Sequence, residues 1–229
     1  MKKKSLLITA AALLLTSQVA LAASPKTTSP VFVADVIDPA THETTAITEP
    51  TAPSSGSIST EAVSLSVPLL SQSGETWSSS IMQTCGSTIG SEGCALTSTT
   101  MVFKYFGVSI AGPGAMNNKL GSYACPIYWG EAVTRAGAGI VNGVTTSSPT
   151  TWSSVYSAAK TALDNNRPYI VGMNKASGGT HFVVVTGYSN GADAGVDFTI
   201  NDPAGGVKRT LGYYVQNGAT PYRGVVYRR

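Results

Sequence analysis

The sequence predicts an α+β domain, on three observations. Apolar residues recur at helical spacing between Cys94 and Leu163. From Tyr169 to Tyr227 the pattern switches to short runs rich in β-branched and aromatic residues. Gly, Asn, Asp and Ser separate those runs at hairpin distances, so the sheet is expected to be antiparallel and to follow a mainly helical half.

The chain of 229 residues holds one such domain with extensions, too short for a large multidomain machine. Its 42% hydrophobic content excludes wholesale disorder, and 12% charged residues with 24 Gly and 12 Pro imply a loop-rich, lightly charged surface. Residues 1–22 read as a secretory signal peptide. Lys2, Lys3 and Lys4 form its basic start, Leu6 to Leu15 an apolar run too short to span a bilayer, and Ala20-Leu21-Ala22 a small-residue cleavage site. The expectation is an exported protein, periplasmic or secreted, with no stable membrane insertion after signal cleavage. The same lysines account for the net charge: 15 Lys+Arg against 12 Asp+Glu gives +3, and without those three, 12 face 12. A neutral mature chain has no electrostatic footprint for nucleic acid or anionic lipid.

Residues 23–61 are rich in Thr, Ser and Pro and read as a flexible leader or pro-segment, broken by one apolar run from Val31 to Ile37. The folded domain is expected over residues 62–229. Val63 to Leu70 alternates as a first strand would, and a Gly- and Ser-rich loop runs from Ser71 to Gly93. Cys94 to Phe106 contains no Gly or Pro and is the most hydrophobic helix, with Gly107 as its stop. Shorter helical signals follow at Pro113 to Leu120 and Trp129 to Ala136. Trp152, Val155, Tyr156, Ala159 and Leu163 mark one face of another helix, ended by Asn165-Asn166-Arg167-Pro168. Strands are predicted at Tyr169 to Met173, His181 to Tyr188, Val196 to Asn201, Val207 to Leu211 and Tyr222 to Tyr227.

Three cysteines and two histidines carry most of the reactive chemistry. His42 lies in the leader, which leaves His181 as the domain's histidine. An odd cysteine count in an oxidising compartment reads as one pair and one free thiol. Cys85 and Cys125 both lie in polar loops and are the predicted disulfide. Cys94 follows Glu92-Gly93 and opens the apolar helix, where unpaired N–H groups and the helix dipole favour an anion. Gly93 beside it leaves the backbone open to an approaching substrate. His181 begins the most apolar strand. A hairpin folded about residue 192 brings Asp202 beside His181, within one residue of register, where it would orient the imidazole. Pro203 ends that strand, and Asn201 is the reserve orienter, turned by alternation to the other face. Nucleophile, base and orienting carboxylate are thereby all supplied.

At these residues the chain resembles the papain-like cysteine peptidases related to those that process bacteriocin leaders, the cysteine peptidase family 39-like group. The resemblance is carried by Val67-Pro68-Leu69-Leu70-Ser71-Gln72, Trp77, Thr88 to Ser98, Arg167 to Gly172, Gly179 to Tyr188 and Asn201-Asp202-Pro203, in that order, and covers roughly residues 63–229. It implies a helix bearing Cys94 packed on an antiparallel sheet bearing His181 and Asp202, with Gln72 and the Cys94 N–H as oxyanion donors. It implies a peptide or protein substrate, with Trp77 and Gly93 near it, and a monomer without cofactor. One departure stands out. Transporter-fused members carry the glutamine a few residues before the cysteine, whereas 22 positions separate Gln72 from Cys94, so the intervening loop must fold back.

Other readings stay open. The same site would serve a cell-wall amidase or an acyl transferase, since the attacking acceptor is not encoded in the triad. A binding or surface-adhesion module retaining the fold is a third. A Cys₃His zinc site has no close C-x₂₋₄-C pair to support it, so no metal is expected. Asp193 and Asp197 read as turn residues rather than calcium ligands. Tyr123, Tyr128 and Trp129 are candidates either for a substrate groove or for packing.

Overall fold

A computed structural model describes residues 62–229. The segments expected to be signal peptide and leader, with the Val31 to Ile37 run and His42, lie outside the described residues. In chain order the elements are β1 (Val63–Ser64), α1 (Ile89–Glu92), α2 (Cys94–Tyr105), α3 (Pro113–Leu120), α4 (Trp129–Ala136), β2 (Gly143–Ser147), α5 (Trp152–Asp164), β3 (Tyr169–Asn174), β4 (Thr180–Tyr188), β5 (Phe198–Asp202), β6 (Val207–Thr210), α6 (Gly212–Gln216) and β7 (Thr220–Arg228). The fold is α+β. One antiparallel sheet of seven strands runs β2-β7-β3-β4-β5-β6, with β1 added to β4. Among the described residues no helix is long and apolar enough to cross a membrane.

The central strands are buried on both faces, which explains why β3 and β4 read as apolar runs rather than alternating ones. Ile170, Phe182 and Val184 face α2, where Leu96, Met101, Val102 and Phe103 are buried against them. Tyr169, Val171, Met173, Val183 and Val185 face α5, with Val155, Ala159 and Leu163. Each such fully buried side chain contributes about 1.5–3 kcal/mol, so α2 is fixed tightly over the sheet. Local signals place the other helices. Pro113 opens α3, Thr151 caps α5 by accepting from the Ser154 N–H, and Pro168 follows its end.

Four elements depart from the sequence pattern. The first strand pairs over only Val63–Ser64, because the chain peels away before Pro68, which has no N–H to give a ladder. A side chain fastens it instead: Asn201 Nδ2 donates to the Val67 carbonyl at 3.0 Å, and the Gln72 N–H donates to the Pro203 carbonyl at 2.9 Å. Helix α1 forms inside the polar loop on the Thr88 cap. Strand β2 and helix α6 add an edge to the sheet and a turn over it, and neither carries a strong period.

The pairing of β4 with β5 decides which residues meet. Tyr188 faces Phe198 and Gly187 faces Thr199, but Val185 faces Ile200, so Thr186 is an inserted residue. Beyond that bulge Val184 faces Asn201, and the register continued by one residue sets Asp202 opposite Val183. Asp202 therefore shares the sheet face of Val183 and His181. Without the bulge Asp202 would oppose Val184 and turn away from His181.

Candidate active site

Cys94, His181, Gln72 and Ala204 line one cavity of about 730 Å³, together with Leu96, Trp129, Phe182 and Tyr222. Cys94 occupies the first position of α2 and is 8% exposed. Gly93 before it is buried, and a Cβ there would collide with Ile89 of α1, which packs tightly under the start of α2. The glycine expected to open the backbone toward substrate is thus required by helix packing; its neighbours Glu92 and Cys94 line the cavity and it does not.

His181 stands near the start of β4, and its Nε2 lies 2.8 Å from Asp202 Oδ1 at the end of β5. A carboxylate only accepts, so Nε2 is the protonated nitrogen of that contact and Nδ1 remains for the Cys94 sulfur. Burial alone would lower the pKa of His181, but the hydrogen bond to Asp202 and the interaction with the Cys94 sulfur outweigh it and push it up to about 9. Asp202 is fully buried. Burial works to raise its pKa, yet hydrogen bonds from His181, Tyr214 and the Ala204 N–H hold it below the usual carboxylate range. The pair is therefore an imidazolium beside a carboxylate at neutral pH.

Gln72 reaches the site by the path that Asn201 and Pro203 set, which closes the 22-residue gap to Cys94. Its Nε2 donates one hydrogen to the Gly90 carbonyl at 3.1 Å and keeps a second for the cavity. Trp77 does not line the cavity. Its Nε1 donates to the Ser71 carbonyl at 2.9 Å, and its ring fills the space over Gly112 and Gly114, so it anchors the chain next to Gln72. Asn201, the reserve orienter, is spent on Val67 and Pro68.

Of the three aromatic candidates, Trp129 joins the cavity wall against Phe182, while Tyr123 packs on Tyr128 and under Arg135. Asp197 accepts from the Ala194 N–H in the hairpin loop, a turn contact. Cys85 and Cys125 are joined in a disulfide spanning 40 residues, which forms part of the cavity wall. They approach Glu92 closely enough for a metal site, but the bond between the two sulfurs occupies both. Replacing both with serine is expected to lower unfolding free energy by about 3–4 kcal/mol, read from urea denaturation, with a steeper slope because the uncrosslinked denatured chain exposes more surface.

The sequence did not point to Tyr214 or Arg209, the two side chains on the far oxygen of Asp202. Alternation along β6 was the available signal for Arg209, two residues beyond Val207, which faces Asp202; Tyr214 sits on a five-residue helix without period.

Comparison with curated proteins found no match. A free thiol at a helix start and a histidine at a strand start share one cavity, with a buried carboxylate on the next strand behind the histidine; residues 64–223 match the Peptidase C39-like family, and the chain belongs to it.

Proposed function

We propose that this protein is an exported cysteine peptidase with a papain-like arrangement, cleaving a peptide or amide bond through Cys94, His181 and Asp202. The observation that carries the reading is the buried His181–Asp202 contact at 2.8 Å in the wall of the cavity that Cys94 lines. Cys94 as thiolate attacks the carbonyl carbon. The oxyanion is met by Gln72 Nε2 and the Cys94 N–H, which at the start of a helix has no intrahelical acceptor. His181 gives its Nδ1 proton to the leaving amine, then takes one from the water that releases the acyl group from sulfur. Asp202 holds the imidazole and balances its charge throughout. The basic n-region and small-residue site of residues 1–22 support export to the periplasm or beyond, and the neutral mature chain counts against nucleic acid and leaves a peptide or protein as the partner.

A cell-wall amidase or an acyl transferase would use the same groups, so substrate is the deciding measurement. The protein without residues 1–22 is expected to generate new termini in a peptide library, read by mass spectrometry, and to be labelled at Cys94 by a peptide electrophile. Release of stem peptides from purified peptidoglycan alone would move the reading to an amidase. Absence of cleavage and of labelling would leave a binding module.

A further inference from the structure

Asp202 has to hold His181 and balance its charge, yet three hydrogen-bond donors and a guanidinium converge on its carboxylate. Oδ1 receives His181 Nε2 at 2.8 Å and the Ala204 N–H at 2.9 Å. Oδ2 receives the Tyr214 hydroxyl at 2.5 Å and lies 3.3 Å from Arg209 Nε. We propose that Tyr214 and Arg209 form a clamp on the far oxygen of Asp202 that fixes the direction and the strength of its pull on His181, making both positioning residues of the site. The proposal rests on the Cys94–His181–Asp202 reading for its catalytic meaning and on these distances for its geometry.

An aspartate side chain rotates freely about its last bond unless both oxygens are engaged. Here Oδ1 faces the imidazole while Oδ2 is tied to two other elements, β6 and α6, so rotation would break contacts at both ends. The clamp is itself held in place. Leu211 donates its N–H to the Phe198 carbonyl at 2.9 Å, and Gly212 and Gly195 pack too closely to admit a Cβ, which seats α6 beside β5. The Arg209 guanidinium lies 4.3 Å from the Tyr213 ring, and the Tyr214 ring lies 5.3 Å from that of His181. Neither Tyr214 nor Arg209 lines the cavity that holds Cys94, so any effect of theirs on turnover passes through Asp202.

Charge-assisted donors to a carboxylate reduce its basicity. The groups facing Asp202 from the packed elements are His181 on β4, Arg209 on β6 and Tyr214 on α6, with Cys94 on α2 beyond His181. Burial and the Asp202 hydrogen bond both raise the Tyr214 pKa, so the phenol remains a donor across the working range. Removing it leaves Asp202 more basic and more mobile. His181 would then hold its proton more firmly and in a less constant direction, a poorer acid toward the leaving amine.

Tyr214→Phe keeps the ring and deletes the donor. It is expected to lower kcat about tenfold with KM within about twofold, and to move the alkaline limb of kcat to higher pH. Arg209→Ala is expected to do the same more weakly, and Arg209→Lys, which keeps the charge, to restore the limb. The same shift is read without turnover by NMR titration of the His181 ring in Cys94→Ala protein with and without Tyr214→Phe. An unchanged His181 titration overturns the clamp whatever the activity. A moved titration in a protein whose Cys94→Ala variant still hydrolyses substrate supports the clamp and sinks the peptidase mechanism instead.

Discussion

Cys94→Ala is expected to lower peptide hydrolysis by about 10⁴-fold or more and to abolish the acyl-enzyme trapped by acid quench, with the fold intact. The size of the effect follows from what is left behind. Without the sulfur no thioester forms, and the remaining catalysis comes from substrate binding and from the oxyanion donors on Gln72 and residue 94, which are worth about 10³–10⁴ over water. No second thiol can substitute among the described residues, since Cys85 and Cys125 are bonded to each other. The fold is expected to survive because the sulfur faces the cavity, while the α2 core contacts are made by Leu96, Met101, Val102 and Phe103. Loss of one methyl-sized group there costs about 1 kcal/mol, small beside the burial along α2. Intact-mass spectrometry after rapid quench and a thermal scan check both halves. Undiminished hydrolysis by the variant would remove Cys94 from the mechanism.

How far the site was legible depended on the range of the signal. Cys94 was marked locally, by a glycine before it and an apolar helix after it, and the structure begins α2 at that residue. His181 was marked by Gly178-Gly179 and the apolar strand, and β4 begins one residue earlier. Asp202 required a non-local quantity. A hairpin midpoint gives nearness, but the face is a matter of parity, and one inserted residue, Thr186, sets it. Gly187 beside it, isolated inside the strand, is a local sign of a bulge or of close backbone approach, but it does not fix the register. Gly93 and Trp77 mark a different limit. Small and aromatic residues near a nucleophile suggest room and contact for substrate, whereas here Ile89 takes the room and Ser71, Gly112 and Gly114 take the contact. Tyr214 was beyond reach altogether, since a five-residue helix has too few positions to show a period.

Asp202→Asn is expected to lower kcat by about 10⁴-fold and to shift the alkaline limb of activity in the opposite direction from Tyr214→Phe. The substitution is nearly isosteric, so its effect is electrostatic. For His181 burial acts to lower the pKa, and Asp202 and the Cys94 sulfur raise it to about 9. With the carboxylate neutralised, burial meets one opposing influence fewer, and the limb moves down toward the ordinary histidine value of about 6.5. Stability carries the same signature with a definite sign. The folded His181 pKa is raised from 6.5 to about 9, so its contribution is complete below pH 6.5 and is lost as pH rises through about 9. Asp202 has a lowered folded pKa, so its contribution is present above the ordinary carboxylate value of 3.8 and is lost as pH falls through the lower, folded-state value. The wild-type thermal midpoint is thus expected to decline between pH 6.5 and 9, and Asp202→Asn to flatten that decline. The variant also leaves an amide where the carboxylate met three hydrogen-bond donors and the Arg209 guanidinium, so its hydrogens must face either His181 or the Tyr214 hydroxyl and Arg209. A tyrosine hydroxyl can turn to accept but a guanidinium cannot, so the Asn oxygen serves one side of the site at the expense of the other. Thermal scans across pH 5.5–10, with kcat measured in parallel, separate the outcomes. An unmoved alkaline limb together with an unchanged slope of stability would mean that the His181 proton is held by some other group, and the triad would lose its third member.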